Sequence, residues 1–423
     1  LEKASAKRRR QRLGCPKGSG YSGTIFFSQV PAKSLATSIV KLSTLFLPTR
    51  RMLFMKTFDQ ERRHLIQNLA VIAGASTMAP ALALKGFAES SSKTKIGFAL
   101  VGLGNYSTTM LAPALKSASN CYLAGIVTGS PEKALSWSKE YGIPEKNIYN
   151  YDNYDAIANN DDIDVIYVVL PNSMHAEFTI RALNAGKHVI CEKPMALNSA
   201  EARTMIDAAK RADRKLSIGY RMHYDPYFIE VKRLGQKEIL GRVNFMEATL
   251  AYYSTPEKNS WKLKKAMGGG SLYNLGVYPI QSARHTKGAE PVILSATANS
   301  QRKDLFSEVY EHFSWTMEFS DGSLCNCFTG SSSATNRLYA ACEKGFIELN
   351  SATAYSGQWG SSSLGKFDYP QVFQQQLQME DFARCILEKD ASIVSGEDGL
   401  KDMLIIDAIH ASILAGGARV KIG

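Results

Sequence analysis

Two side chains in this sequence have the types and setting for proton and hydride chemistry: Lys193, in Cys191-Glu192-Lys193-Pro194, and Tyr278, which closes Gly268-Gly269-Gly270-Ser271-Leu272-Tyr273-Asn274-Leu275-Gly276-Val277-Tyr278. A phenol accepts a hydroxyl proton once ionised, which a free phenol reaches only near pH ~10, and a neighbouring ammonium favours the ionised form. Asn274 lies four residues before Tyr278, so a helix beginning there turns both side chains to one side. This set suits oxidation of a carbinol. That reaction needs a hydride acceptor held against the carbon, a group to take the hydroxyl proton, and polar contacts that fix the substrate. Arg221, His223, Tyr224 and Arg284 are candidate contacts to sugar hydroxyls, and each suits a structural hydrogen-bonding role equally well.

Lys193 requires a nucleotide site beside it, and the chain has the elements of one. Lys95–Val101 reads as a buried parallel strand, Gly102-Leu103-Gly104-Asn105-Tyr106-Ser107 as a tight turn, and Thr109–Ser117 as the start of a helix. The first glycine permits the turn, the second lets the backbone approach a pyrophosphate, and the helix N-terminus receives its charge; Ser107 replaces the usual third glycine. Asp164–Leu170 is a further strand bounded by Pro171-Asn172, Ala176–Ala185 a helix ending at Gly186, and His188–Cys191 another strand. Alternating strands and helices imply a parallel sheet, with ligands beyond the carboxyl ends of its strands. Leu170, Pro171, Asn172, Glu192 and Lys193 fall there, and His175 falls close by. The strand Tyr122–Val127 exits through Thr128-Gly129-Ser130 without the Asp or Glu that would receive a ribose 2′-OH, which favours NADP over NAD.

After Gly219 the rhythm changes to half-exposed strands at 242–250, 292–299, 312–319, 323–329 and 337–342, with Asp321-Gly322 as a hairpin turn. Helices are expected at 276–287, 373–387 and 399–415, and Ser331-Ser332-Ser333 and Ser361-Ser362-Ser363 as short loops. The expected fold is an α/β Rossmann nucleotide-binding domain over 93–217, followed over 218–423 by an α+β substrate and oligomerisation domain with a large open, mainly antiparallel sheet.

The glycine turn, Leu170-Pro171-Asn172-Ser173-Met174-His175, Ala185-Gly186-Lys187-His188-Val189, Cys191-Glu192-Lys193-Pro194-Met195, Gly219-Tyr220-Arg221-Met222-His223-Tyr224-Asp225-Pro226 and the triple glycine occur in an order that resembles the glucose-fructose oxidoreductase, inositol dehydrogenase and rhizopine-catabolism superfamily from about Thr94 onward, and most of all its glucose-fructose oxidoreductase branch. The resemblance implies that Tyr278 is the acid/base tyrosine and Lys193 its electrostatic partner. It further implies that Lys133, with Thr128 and Ser130, meets the NADP 2′-phosphate. The tightly bound cofactor would then lie against Gly102, Leu103, Gly104, Asn105, Tyr106, Leu170, Pro171, Asn172, His175, Glu192, Lys193 and Arg221. The open sheet face is expected to support a dimer or tetramer. Asn274 departs from the aspartate usual in the superfamily: an amide holds a hydrogen bond but neither ionises nor passes a proton.

The expected function is an exported NADP-containing oxidoreductase that converts a glucose-like aldose to its lactone and is reoxidised by a fructose-like second sugar. A dehydrogenase of aldoses or polyols that releases its NAD(P)H, an NAD-dependent glycoside hydrolase and a non-catalytic sugar or nucleotide sensor are the alternatives. Glu192-Lys193-Pro194 argues against the hydrolase, and a sensor needs neither Lys193 nor Tyr278.

Of 423 residues, 45% are hydrophobic and 21% charged, as in a soluble globular protein with room for two cores. Residues 1–92 carry seven Lys and eight Arg against one Asp and three Glu, which accounts for the whole net charge of +11 and leaves the remainder formally neutral. Binding to nucleic acid depends on neutralising phosphates, so no such partner is expected. The basic segment reads as targeting sequence. Residues 55–92 hold Arg62-Arg63-His64-Leu65-Ile66, a mildly apolar stretch and the cleavage candidates Ala81-Leu82-Ala83 and Gly86-Phe87-Ala88, a twin-arginine signal for periplasmic export without lasting membrane insertion. Residues 1–54 read as an upstream extension. The seven cysteines form no C-x-x-C pair and no zinc spacing, so no metal is expected.

Overall fold

The computed structural model describes residues 93–423, so the targeting segment and its cleavage candidates lie outside the described residues. Short apolar runs form the first sheet: β1 Ile96–Val101, β2 Cys121–Val127, β3 Ile148–Tyr149, β4 Val165–Val168, β5 His188–Cys191 and β6 Leu216–Ile218. All are parallel, in the order β3-β2-β1-β4-β5-β6. Helices α1 (Ala112–Ser117), α2 (Pro131–Tyr141), α3 (His175–Asn184) and α4 (Ser199–Ala212) connect the strands. β1 is buried along its whole length, as a strand covered on both faces must be. The strand order reverses between β1 and β4, the position beyond whose carboxyl ends parallel sheets bind ligands. The helix expected from Thr109 begins instead as a π-helical turn at Ser107–Leu111 and becomes α-helical only at Ala112, where Pro113 removes a backbone donor.

The second sheet has nine strands, β7 Val243–Ala251, β8 Pro291–Asn299, β9 His312–Phe319, β10 Leu324–Gly330, β11 Thr335–Cys342, β12 Gly345–Asn350, β13 Trp359–Ser362, β14 Gly365–Lys366 and β15 Val420–Lys421, ordered β14-β13-β12-β11-β7-β10-β9-β8-β15. β7 and β10 run parallel and the other neighbours antiparallel. Asp321-Gly322 makes the β9–β10 turn, with Gly322 at φ +83°. Ser361 and Ser362, expected in a loop, lie in β13 and pair with β12. Helices α5 (Pro226–Gln236) and α6 (Val277–Lys287) pack on one face, while alternate residues on the strands stay half-exposed on the other, where Arg337 bridges Glu247 and Glu348 at 2.8 Å each. Cys325 and Cys327 stand side by side on β10 with their sulfurs 3.6 Å apart and unbonded.

The chain then returns to the first sheet. Helix α7 (Gln374–Leu387) buries Met379, Phe382 and Ala383 in one core with Phe98, Leu111 and Ile126, and α8 (Gly396–Leu414) packs between α4 and β8.

Candidate active site

The glycine turn leaves space for a nucleotide. Gly102 sits at φ +93°, and a Cβ there would lie 2.4 Å from the Val169 carbonyl oxygen, so no other residue fits. A Cβ on exposed Gly104 would meet nothing within 4 Å, which leaves the outer side of the turn open to a pyrophosphate. Ser107 Oγ donates to the Gly102 carbonyl at 2.6 Å and so braces the turn from inside. At the end of β2, Ser130 Oγ caps α2 by accepting from the Lys133 amide, and Thr128 Oγ1 accepts from the Ser130 amide at 3.2 Å. Lys133 Nζ reaches across to the Leu103 carbonyl at 2.9 Å, so a cation from α2 already stands at the turn. Glu132, on the first turn of α2, also takes a hydrogen bond from Ser130 Oγ at 2.7 Å. It is exposed, so water can replace that contact at little cost.

Beyond β4 and β5, side chains tie the strand-end loops to the second domain. Asn172 Nδ2 donates to the Gly268 carbonyl at 2.7 Å, and Gly268, at φ +70°, has no room for a Cβ beside Leu197 and Asn172. His175 faces two carbonyls, Pro194 at 2.7 Å and Leu170 at 2.9 Å. Burial lowers its pKa despite both contacts, so the neutral ring donates to one carbonyl at a time and braces the loops. Glu192 is buried, accepts from Tyr167 Oη at 2.8 Å and from the Lys193 amide at 3.2 Å, and has its pKa raised by burial.

Lys193, Asn274 and Tyr278 do meet, though not as the helical spacing implies. A π-helical turn, Leu272–Gly276, precedes α6 and rotates Asn274 out of the expected i, i+4 relation to Tyr278. The Asn274 side chain donates to the Gly270 carbonyl at 3.0 Å, and its main-chain carbonyl accepts from Lys193 Nζ at 3.0 Å. The same ammonium lies 5.1 Å from the centroid of the Tyr278 ring. A cleft of about 210 Å³, lined by Tyr252, Lys262, Ser271, Asn274, Phe306 and Ser331 among others, opens beside Asn274. A larger cavity of about 750 Å³ lies at the amino ends of β5 and β6, remote from Lys193 and Tyr278. The smaller one is the nearer to the pair, since Asn274 lines it and the Asn274 carbonyl accepts from Lys193.

The four expected sugar contacts are engaged elsewhere. Arg221 donates through its terminal nitrogens to the carbonyls of Thr353 and Ala354 and to the Gln374 side chain, and lays its flat group over Tyr278 at 5.4 Å and Tyr355 at 4.2 Å. Tyr224 Oη donates to Asp381 at 3.0 Å. His223 pairs through Nε2 with Gln281 at 2.7 Å, and its Nδ1 faces Lys232 Nζ at 3.2 Å. Burial, with His285 and Lys232 as its neighbours, holds the His223 pKa well below its ordinary value. Arg284 spends its donors on Glu290, Asp398 and Asp402. His223, His285 and Asp398 bring ligand atoms within 4.8 Å of one another, but Arg284 and Gln281 already occupy the Asp398 oxygens and Lys232 adds a positive charge, so this cluster is an ion-pair network.

Two aromatic residues absent from the sequence reading stand near Tyr278, and one of them, Tyr252, also lines the cleft. Tyr355 stacks on Tyr106 with centroids 6.4 Å apart and planes 26° apart, and Tyr252, at the end of β7, stands near Tyr278. The Tyr252-Tyr253 pair just past an alternating strand was a visible signal for one of them; Tyr355 lies in a loop with no periodicity.

Comparison with known proteins gives a consistent picture. A family model described as an oxidoreductase family with an NAD-binding Rossmann fold matches residues 96–220, and the model for the GFO/IDH/MocA C-terminal domain matches residues 228–348. The crystal structure of aldose-aldose oxidoreductase from Caulobacter crescentus, complexed with glycerol, is 38% identical, covers 77% of this chain and 99% of its own, and superposes with a TM-score of 0.75. D-xylose 1-dehydrogenase [NADP(+)] of Haloarcula marismortui is 25% identical over 76% of this chain and 92% of its own length. A 3-ketoreductase from Actinomadura kijaniata, solved with NADP and TDP-benzene, shares the fold at 22% identity, 75% and 98% coverage and a TM-score of 0.67.

Proposed function

Because this chain belongs to the GFO/IDH/MocA oxidoreductase family, we propose that it is an exported sugar oxidoreductase that keeps NADP bound, oxidises an aldose to its lactone and passes the hydride to a second sugar. The observation that carries this reading is the Lys193 ammonium held between the Asn274 carbonyl and the Tyr278 ring, just past the strand ends that also present the glycine turn. The relatives named for NADP-dependent xylose oxidation and for aldose-aldose oxidoreduction support both substrate class and cofactor.

When bound, NADP supplies a two-electron acceptor for the C1 hydride of an aldose and a donor for the carbonyl carbon of the next sugar. Gly102, Gly104 and the α1 end of the turn would hold its pyrophosphate, and Lys133 with Thr128 and Ser130 the 2′-phosphate. Tyr278 takes the C1 hydroxyl proton as the C1–H bond breaks and the lactone C=O forms, then returns that proton to the oxygen of the second sugar. Lys193 keeps a positive charge at the phenol, and the Asn274 carbonyl fixes where that charge stands. Asn274 therefore contributes through its main chain, which an aspartate there would supply equally.

Purified protein, once denatured, is expected to release NADP(H). Predominantly NAD(H), or no nucleotide, overturns the retained-cofactor reading. A single turnover with glucose or xylose should then reduce the bound nucleotide and a ketose or second aldose reoxidise it; reduction without reoxidation favours the dissociable dehydrogenase. Export is tested by replacing Arg62 and Arg63 with lysine, which should leave a full-length precursor in the cytoplasm, whereas the unchanged chain should yield a periplasmic form starting near Leu84 or Glu89. The half-exposed face of the nine-stranded sheet is our proposed contact between copies, and Arg337→Glu, which sets like charges beside Glu247 and Glu348, should shift the protein to smaller species on a sizing column.

A further inference from the structure

We infer that Tyr355 is a specificity-determining residue: the wall on which the apolar C–H face of an aldose ring stacks in front of Tyr278. This rests on the sugar oxidoreductase reading above. Tyr355 lies between β12 and β13, in a loop clamped at the two residues before it. Arg221 donates to the carbonyls of Thr353 and Ala354, and Gln358 and Gln374 donate to the Ala354 carbonyl at 2.7 and 3.3 Å. Both glutamines also donate to Asp225 Oδ2, at 2.9 and 2.6 Å, while the other oxygen of Asp225 caps α5. These donors come from three separate parts of the chain. Yet the residue they present remains 47% exposed.

A ring held this firmly and left half in water has its contact area available to a ligand at little further entropy cost. One face of Tyr355 rests on the Arg221 guanidinium at 4.2 Å, and the same guanidinium meets Tyr278 at 5.4 Å, so a single planar group sets both phenols. Tyr106, from the glycine turn, stacks alongside Tyr355. The ring thus stands between the coenzyme turn and the acid/base phenol. Its hydroxyl makes no hydrogen bond among the described residues, and burial pushes its pKa up to about 12, so it stays a neutral phenol able to donate to a ring oxygen. The buried Arg221 Nε has no hydrogen-bond partner among the described residues.

The test uses the full chain with its bound nucleotide. Tyr355→Ala and Tyr355→Phe are compared with wild type for nucleotide content, for kcat and KM with glucose and xylose, and for the rise in Tm that each sugar produces. Tyr355→Ala should raise KM about tenfold and abolish the sugar-induced rise in Tm, with kcat changed less than threefold and nucleotide content unchanged. Tyr355→Phe should restore KM to within about threefold of wild type. An unchanged KM in Tyr355→Ala, or a Tyr355→Phe variant as impaired as Tyr355→Ala, overturns the stacking role while leaving the oxidoreductase reading intact. A wild-type protein that holds nucleotide but reacts with no aldose overturns both.

Discussion

Two buried arginines serve the two ends of helix α6 and are used in opposite ways. Arg284, near its carboxyl end, is surrounded by Glu290, Asp398 and Asp402; burial works against its charge, but the carboxylates outweigh it and raise its pKa. Arg221, at the amino end beside Tyr278, has no carboxylate within salt-bridge reach among the described residues; burial again opposes the charge, yet its pKa is raised, with Tyr278, Tyr106 and Tyr355 around it. At one end, Arg284 has every donor matched. At the other, cations meet ring faces and neutral carbonyls, and a ligand can complete what the protein leaves open. Burial and charge alone do not mark a site; unspent hydrogen-bonding capacity does.

Removing the saturated arginine is the severest way to test this contrast. Arg284→Met leaves Asp402 and Asp398 buried without their cation and should cost about 3–5 kcal/mol in urea denaturation, whereas adding Asp402→Leu should recover part of the loss. A loss below ~1 kcal/mol would mean that the two arginines do not differ as described. At the open end the loss should fall on rate. Tyr278→Phe should slow single-turnover reduction of the bound nucleotide about a hundredfold or more, with nucleotide content unchanged, and equal rates would remove Tyr278 from the chemistry. Lys193→Ala should act in the same direction with nucleotide content unchanged, because the developing phenolate loses its neighbouring charge.

Much of this contrast was hidden in the sequence for a physical reason. Periodicity and turn residues located β1, β5, the antiparallel strands and the glycine turn, because those signals are local. Arg284, His223 and Tyr224 announced only their capacity to bond. Their partners Asp402 and Asp381 lie 118 and 157 residues away from Arg284 and Tyr224, and nothing local distinguishes a saturated arginine from an available one. Asn274 was misplaced because a 3.6-residue period was assumed where the chain makes a π-helical turn. Lys133 was singled out through the family resemblance rather than any local signal, and the structure sets its ammonium on the Leu103 carbonyl of the turn at 2.9 Å.

Smaller effects sharpen the same distinction. Lys133→Ala should weaken NADP binding about tenfold while leaving NAD binding unchanged, since only the 2′-phosphate requires that cation; equal losses for both would confine Lys133 to bracing the Leu103 carbonyl. At the saturated end, His223 has its pKa lowered from the ordinary 6.5, chiefly by burial. Below pH ~6.5 the unfolded chain binds a proton that the folded one does not, so stability should fall on acidification from that point with a slope of about 1 kcal/mol per pH unit from this residue. His223→Gln should flatten that slope, and an unchanged slope would assign the acid sensitivity to other groups.

Helix α7 imposes an order of events on synthesis. Met379, Phe382 and Ala383 complete the core that Phe98, Leu111 and Ile126 begin, so the strands of the first sheet cannot finish burying their apolar surface until Gln374–Leu387 has left the ribosome. The nucleotide domain precedes the helix that seals it. A ribosome that stops before Gln374 releases a product with an open, sticky sheet, suited to capture by chaperones and proteases.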